Sequence, residues 1–239
     1  GNAAGRAYIQ LSIARSFGHQ ITPLLPGLAK IFIAEDWPKQ LSGVSLADVE
    51  LTSLAVSRGE LLFTHFGLSG PAALNLSRWV AKSYTELGPN QIKMDLVPEW
   101  SWETTNTKLM SLAQEQPRVM VKNLLKSFLP EAVATVILRQ AGLDPTSTGA
   151  QISKKAVVQL TNFLKGATLT VPELPSTDSG QITVGGVALT EVNPKTLESK
   201  VRPGLFFAGE ILDLDGETGG YNIQAAFSTG YAAGQGAIA

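Results

Sequence analysis

Residues able to hold a ligand are densest near the C-terminus. The run GLFFAGEILDLDGETGGYNIQAAFSTGYAAG, residues 204–234, reads as a short buried strand from Gly204 to Glu210, a glycine-rich loop from Gly216 to Gly220, and a helix from about Tyr221 to Ala233. A helix that starts directly after such a loop presents unpaired N–H groups and a partial positive charge. Gly219 and Gly220 carry no side chains, so an anion or an aromatic ring system can approach the backbone. A reduced flavin, with negative charge at its pyrimidine end, is a ligand of this kind. Glu210, at the strand's end, could accept hydrogen bonds from the hydroxyls of its ribitol chain. The same pattern also suits a packing corner whose glycines let strand and helix approach closely, and a short glycine motif does not separate the two.

Other candidates stand alone. His65 sits in an apolar strand context, where it could act as acid, base or hydrogen-bond donor, or serve as a structural histidine bonded to backbone. Lys200 could contact an anionic ligand or be a solvated surface lysine. His19 follows a helix stop and suits the negative end of that helix. Gly67-Leu68-Ser69-Gly70-Pro71 has the outline of a nucleophile elbow, but Pro71 occupies the second required glycine position and no histidine follows in the chain. Ser69 is better read as a helix cap ahead of proline.

These residues need a scaffold, and composition bounds it. A chain of 239 residues with 44% hydrophobic residues fits one large domain or two small ones. Zero cysteines exclude disulfides, iron–sulfur ligation, thiolate metal sites and a cysteine nucleophile. Nineteen basic against twenty acidic residues give no broad attraction to nucleic acid or membrane. No stretch approaches the roughly 20 apolar residues of a membrane span, and no basic-then-apolar leader opens the sequence, so a cytoplasmic protein is expected. Asn75-Leu76-Ser77 matches a glycosylation acceptor by chance, within a helical pattern.

The order of elements suggests how the scaffold is divided. Gly1 to Gly5 is loop-like and a helix runs from about Arg6 to Phe17, stopped by Gly18. Strands dominate from Leu28 to Leu96: Lys30 to Ala34, Leu46 to Val56, Glu60 to Phe66, and Ile92 to Leu96. One helix, with Pro71 in its first turn, interrupts them. Consecutive helices fill Ser101 to Leu164, with Ser101 and Ser153 as N-caps and Gly142 and Gly166 as stops. Gln181 to Leu189 reads as strand. Strands and helices thus come in blocks between two Gly/Pro-rich ends, which places an insert domain over residues 24–176 between two pieces of another domain, residues 1–23 and 177–239.

The run over residues 204–234 resembles the closing FAD signature of the aminoacetone oxidase / BaiN-like flavoproteins. RGELLFTHFGLSGPAALNLSR, Arg58 to Arg78, resembles that family's insert-domain signature, and ITVGGVALTEVNPKTLESK, Ile182 to Lys200, its approach to the FAD motif. Gly1 to His19 is similar to the family's loop and helix, so the resemblance is collinear along the whole chain. It implies an α/β plus α+β fold: a partial Rossmann-like FAD-binding domain, made of the N-terminal helix and the C-terminal strand–helix pieces, carrying an inserted β-barrel-like plus helical domain. It implies an FAD-dependent oxidoreductase acting on a small-molecule substrate by hydride or two-electron transfer, and admits NAD(P) as electron donor. Carried over by residue, Gly209 and Glu210 fall at the ribitol-binding strand end, with Asp213 and Asp215 in the adjoining loop. Gly219, Gly220, Tyr221 and Asn222 fall where loop and helix meet the isoalloxazine, and Gln224 lies one turn inside the helix. His65 and Lys200 are the candidates for catalysis.

The sequence departs from the family in one respect. No G-x-G-x-x-G occurs in it, so the loop that would cradle the cofactor's pyrophosphate is expected from a segment supplied elsewhere. On this reading the chain by itself retains FAD poorly, and the alternative is a non-catalytic module that folds without flavin.

Overall fold

The computed structural model describes residues 3–238. A six-stranded antiparallel sheet forms its centre, built from β2 (Ile31–Phe32), β3 (Ser45–Thr52), β4 (Val56–Thr64), β5 (Gly67–Ser69), β6 (Asn90–Asp95) and β7 (Ala167–Val171) in the order β2-β5-β4-β3-β6-β7. Alternation puts one face of each strand inward: Leu61 and Phe63 on β4, Ile92 and Met94 on β6, and Ala167, Leu169 and Val171 on β7 are buried. On β3 the buried residues are Leu46, Val49 and Leu51. The odd step from 46 to 49 is accommodated by a register shift against β4, a bulge that lets both residues face the core. The sheet curls until its two edges meet. Just past β2, Ala34 N donates to Thr170 O on β7 at 2.9 Å, and Thr170 N donates to the Glu35 carboxylate at 2.9 and 3.1 Å. This is the barrel-like element expected for the insert.

Helix α3 (Pro71–Leu87) packs into the curl through Ala72, Ala73, Leu76, Val80 and Ala81. Its start corrects the expected Ser69 cap. The N-cap residue is Gly70, at φ 86°, with no side-chain cap, and Ser69 ends β5. The reason is steric: a Cβ at Gly70 would lie 2.9 Å from Leu62 N, and one at Gly67 only 2.4 Å from Ile31 O. The GLSGP run is therefore a tight strand-to-helix turn in which glycine is required twice.

Helices α4 (Trp102–Glu115), α5 (Val121–Leu125), α6 (Glu131–Gln140) and α7 (Lys154–Gly166) cover the other end of this core, after the four-residue α2 (Asp36–Lys39). Ser101 and Ser153 cap as expected, accepting from Thr104 N and Ala156 N. Gly142 takes the left-handed conformation after α6, whereas Gly166 is the last residue of α7 and leads directly into β7.

A second, smaller core joins the two ends of the chain. Leu11 and Ala14 of α1 (Ala3–Ser16) meet Val187, Val192, Leu197, Phe207, Leu212 and Ala233. The expected loop over Gly1 to Gly5 is helical from Ala3 onward, while Gly1 and Asn2 lie outside the described residues. The expected strand Gln181 to Leu189 shortens to β8 (Ile182–Val184), which pairs antiparallel with β1 (Leu25–Gly27). Gly204 to Glu210 is not a strand. Phe206 makes one isolated bridge to Glu198, flanked by the bonds from Ser199 N to Leu205 O and from Phe207 N to Leu197 O, and Gly209–Ile211 turns as a 3-10 helix, so the pairing goes no further than that bridge. The closing helix α8 (Tyr221–Ile238) extends past the expected end at Ala233 and leaves Ile223, Phe227 and Tyr231 exposed at four-residue spacing. Among the described residues no helix is long and apolar enough to cross a membrane.

Candidate cofactor site

The loop ahead of α8 is held residue by residue. Asp215 is anchored by Arg78 of α3, whose Nη1 lies 2.5 Å from Asp215 Oδ2. Gly216 is clasped by Asn222, whose Oδ1 accepts from Gly216 N and whose Nδ2 donates to Gly216 O, both at 2.9 Å. Thr218 N donates to Asn75 Oδ1, again on α3, at 2.8 Å. Asn75 and Arg78 are three residues apart and so share one face of that helix. Gly219 and Gly220 then take φ 118° and 95°, a conformation open to glycine, and among the described residues neither N–H finds an acceptor. A Cβ at Gly220 would meet nothing within 4 Å, so the space over this turn is open. Consecutive free N–H groups at a helix start form a concave anion-binding nest.

Beside the nest is a cavity of about 230 Å³ lined in part by Gly209, Glu210, Asp215, Asn222 and Thr183. Gly209, at φ 76°, donates its N–H to Thr229 Oγ1 on α8 at 2.9 Å, which ties the 3-10 turn to the helix. Glu210 is exposed, with Oε1 accepting from Thr183 N on β8 at 2.6 Å. Asp213 lines a separate cleft of about 360 Å³, together with Arg78, Trp79, Lys82 and Gly185. Asp215 is nearly buried, its side chain 6% exposed, and burial pushes its carboxyl above the ordinary aspartate range. The charge of Arg78 opposes that rise and the charge of Asp213 adds to it.

The structure brings Gly209, Glu210, Asp213, Asp215, Gly219, Gly220, Tyr221 and Asn222 into one region. Tyr221 is exposed, and its Cβ covers Gly216. Gln224 is turned to its own helix, donating to Ser228 Oγ at 3.1 Å. Lys200 donates to Thr190 O at 2.9 Å, in the smaller core's loops. His65 is exposed in the turn between β4 and β5, rather than in a strand, with its ring centroid 5.0 Å from that of Phe66 in an edge-on arrangement and no backbone partner among the described residues. Its neighbour Phe66 also receives Lys30, whose Nζ lies 4.7 Å from the ring centroid.

Sequence reasoning missed Asn75 and Arg78, whose spacing places them on one face of the helix but does not say what that face meets. It also missed the partners of His19. This residue is buried, with Nδ1 at 3.0 Å from Glu191 Oε2 and Nε2 at 2.9 Å from Ser199 Oγ. Ser199 Oγ accepts from the N–H groups of Val201 and Arg202, so its own proton goes to His19 Nε2, and His19 Nδ1 carries the proton given to Glu191. The set resembles a nucleophile relay but is enclosed and saturated, and it fastens the end of α1 to residues 191–202.

A family model described as the HI0933-like protein barrel and H2TH domain matches residues 25–179. A 3-dehydro-bile acid delta(4,6)-reductase of Clostridium scindens is 28% identical over 232 residues, covering 95% of this chain and 56% of that protein. Two proteins named ribosomal RNA dihydrouridine synthase match as well. The one from Haemophilus influenzae is 33% identical over 231 residues, covering 92% of this chain and 55% of its own length. The one from Escherichia coli is 32% identical over 231 residues, covering 95% and 55%. The chain thus spans about half the length of the curated relatives it matches.

Proposed function

The chain belongs to the HI0933-like family, and from that premise we propose that it serves an FAD-dependent oxidoreductase that adds hydride to a small organic substrate at a carbon–carbon double bond conjugated to a carbonyl. The relatives' names support the reaction class. Delta(4,6) denotes ring double bonds, and dihydrouridine is uridine with its ring double bond reduced. We place the functional division at residues 24–176 for the barrel and helices and at 1–23 with 177–239 for the cofactor-facing unit.

The observation that carries the reading is the turn at Gly219 and Gly220 at the start of α8: positive φ at both residues, two N–H groups with no acceptor among the described residues, and open space at Gly220, with the Tyr221 ring beside Gly219. Such a nest fits the electron-rich edge of a flavin ring, because fixed dipoles stabilise negative charge there without reorganising. Glu210, which lines the neighbouring cavity, fits a hydroxyl-bearing chain, while the Asn222 amide is committed to Gly216. Flavin when bound supplies the hydride; this chain's residues orient the ring and hold charge at its edge. NAD(P)H is the expected electron donor, and the protein is expected in the cytoplasm.

The test is a titration of the 239-residue chain with FAD and with riboflavin, which needs no pyrophosphate loop, followed by flavin fluorescence and absorbance, then reduction by NAD(P)H with a conjugated enone or a uridine-containing RNA as acceptor. Saturable uptake weakened by Gly220→Val supports the reading. Flavin that never associates leaves the alternative, a module that folds without it. Turnover on the RNA but on no small enone would correct the substrate class.

A further inference from the structure

We infer that Asn75 and Arg78, on a helix of the barrel unit, are positioning residues that hold the nest at Gly219 and Gly220 in shape; the assignment of that nest to a flavin rests on the reading above, the positioning does not. Three of the four residues ahead of the glycine pair are held by side chains, and two of those side chains come from α3: Arg78 on Asp215 and Asn75 on Thr218. The third, Asn222, belongs to α8 itself. Remove the α3 pair and what remains is the clasp on Gly216, which lies before Thr218, and the first helical bond from Gln224 N to Gly220 O at 3.0 Å, which holds Gly220 to α8 but leaves Thr218 and Gly219 without an anchor of their own among the described residues. A nest binds an anion only while its N–H groups converge, and glycine has more backbone freedom to lose than any other residue. The converging geometry must therefore be imposed from outside the loop.

The imposing element is itself well fixed. Ala72, Ala73 and Leu76 of α3 are fully buried against the sheet, and Ser77 Oγ accepts from Ala29 N at 3.1 Å. Asn75 and Arg78 thus project from a rigid support onto a flexible loop, an arrangement that transmits the barrel's position to the nest. Arg78 also lines the 360 Å³ cleft with Trp79, Lys82 and Asp213, so displacement of its guanidinium would reach the loop through Asp215.

The test is amide hydrogen exchange of the 239-residue chain without flavin, comparing Asn75→Leu and Arg78→Met with Asn75→Asp, which keeps the acceptor oxygen, and Arg78→Lys, which keeps the charge. Expected is exchange roughly three- to tenfold faster at the Gly216 N–H, which is bonded to Asn222 in the parent, in the first pair, with β4 unchanged, and near-parent exchange in the second pair. Unchanged loop exchange in both Asn75→Leu and Arg78→Met overturns the inference. Equal acceleration in the loop and in β4 also overturns it, since that is general loosening. Titration of the same four variants with riboflavin, whose binding needs no pyrophosphate loop, separates the two claims. A loop that loosens in a chain that takes up no riboflavin supports the positioning and sinks the cofactor reading; riboflavin uptake with an unmoved loop does the reverse.

Discussion

Arg78 Nη1 and Asp215 Oδ2 lie 2.5 Å apart, although 137 residues separate them in the chain. The carboxylate side chain is 6% exposed and the guanidinium 36%, so the pair joins the barrel's helix to the loop ahead of α8 at the edge of the interior. Two consequences can be measured.

The first is thermodynamic. Removing one member of a fully buried pair costs about 3–5 kcal/mol. Here the guanidinium keeps contact with water, so Arg78→Met is expected to destabilise by roughly 1–3 kcal/mol. Urea unfolding of the parent and the variant measures this. A loss below about 0.5 kcal/mol would place the pair among ordinary surface contacts.

The second is its pH dependence. Burial raises the Asp215 pKa in the folded state, so the native chain holds that proton to a higher pH than the unfolded chain does. Between the ordinary aspartate value and the raised one the folded state binds more protons, and Asp215's contribution to stability falls as pH rises through that window. Arg78→Met removes the opposing charge and shifts the upper limit of the window further upward. The check is the stability of each protein relative to its Asp215→Asn counterpart from about pH 3 to about pH 7. A difference that grows with pH would reverse the sign.

His19 is expected to matter for stability without being chemical. His19→Phe keeps the edge contact with Phe207, whose ring centroid is 4.8 Å away, but leaves the Ser199 hydroxyl proton without an acceptor. A buried donor left unsatisfied costs about 1–3 kcal/mol. Chemical denaturation monitored on the smaller core checks this, and flavin uptake, where present, should be unaffected at temperatures where the variant is folded.

Gly67 and Gly220 should respond in opposite ways to added side chains. At Gly67, with φ 144°, a Cβ lands 2.4 Å from Ile31 O, so Gly67→Ala forces the β2–β5 pairing apart. Crowding of this kind costs about 1–3 kcal/mol, and the forced backbone adds on the order of 1–3 more. At Gly220 a Cβ meets nothing within 4 Å, so Gly220→Val carries the strain of φ 95°, about 1–3 kcal/mol, without crowding, and should preserve the fold by circular dichroism while spoiling the nest. A Gly220→Val protein that unfolds like Gly67→Ala would show the loop to be a packing corner.

Much of this molecule was legible in order along the chain. The alternation of Leu61 and Phe63 or Ile92 and Met94, the serine caps at 101 and 153, and the glycine pair ahead of Tyr221 are local signals, set by periods of two and 3.6 residues and by backbone freedom at single positions. The resemblance read from three collinear runs pointed to the family that the match over residues 25–179 shows. What local signals could not contain is pairing across long separations. Ser69 looked like a cap because its neighbours suit a helix start, but the crowding at Gly67 and Gly70 comes from Ile31 and Leu62. Residues 204–210 looked like a strand because they are apolar, yet a strand requires a neighbour, and the ladder stops at the one bridge to Glu198. His65 looked like part of a strand from its apolar flanks and stands exposed on a turn. Asn75 and Arg78 meant little in sequence, since a polar residue on a helix is ordinarily solvated; only the packing of α3 into the curled sheet aims them at Thr218 and Asp215. Local propensity determined which residues could form a nest, and tertiary packing decided what holds it open.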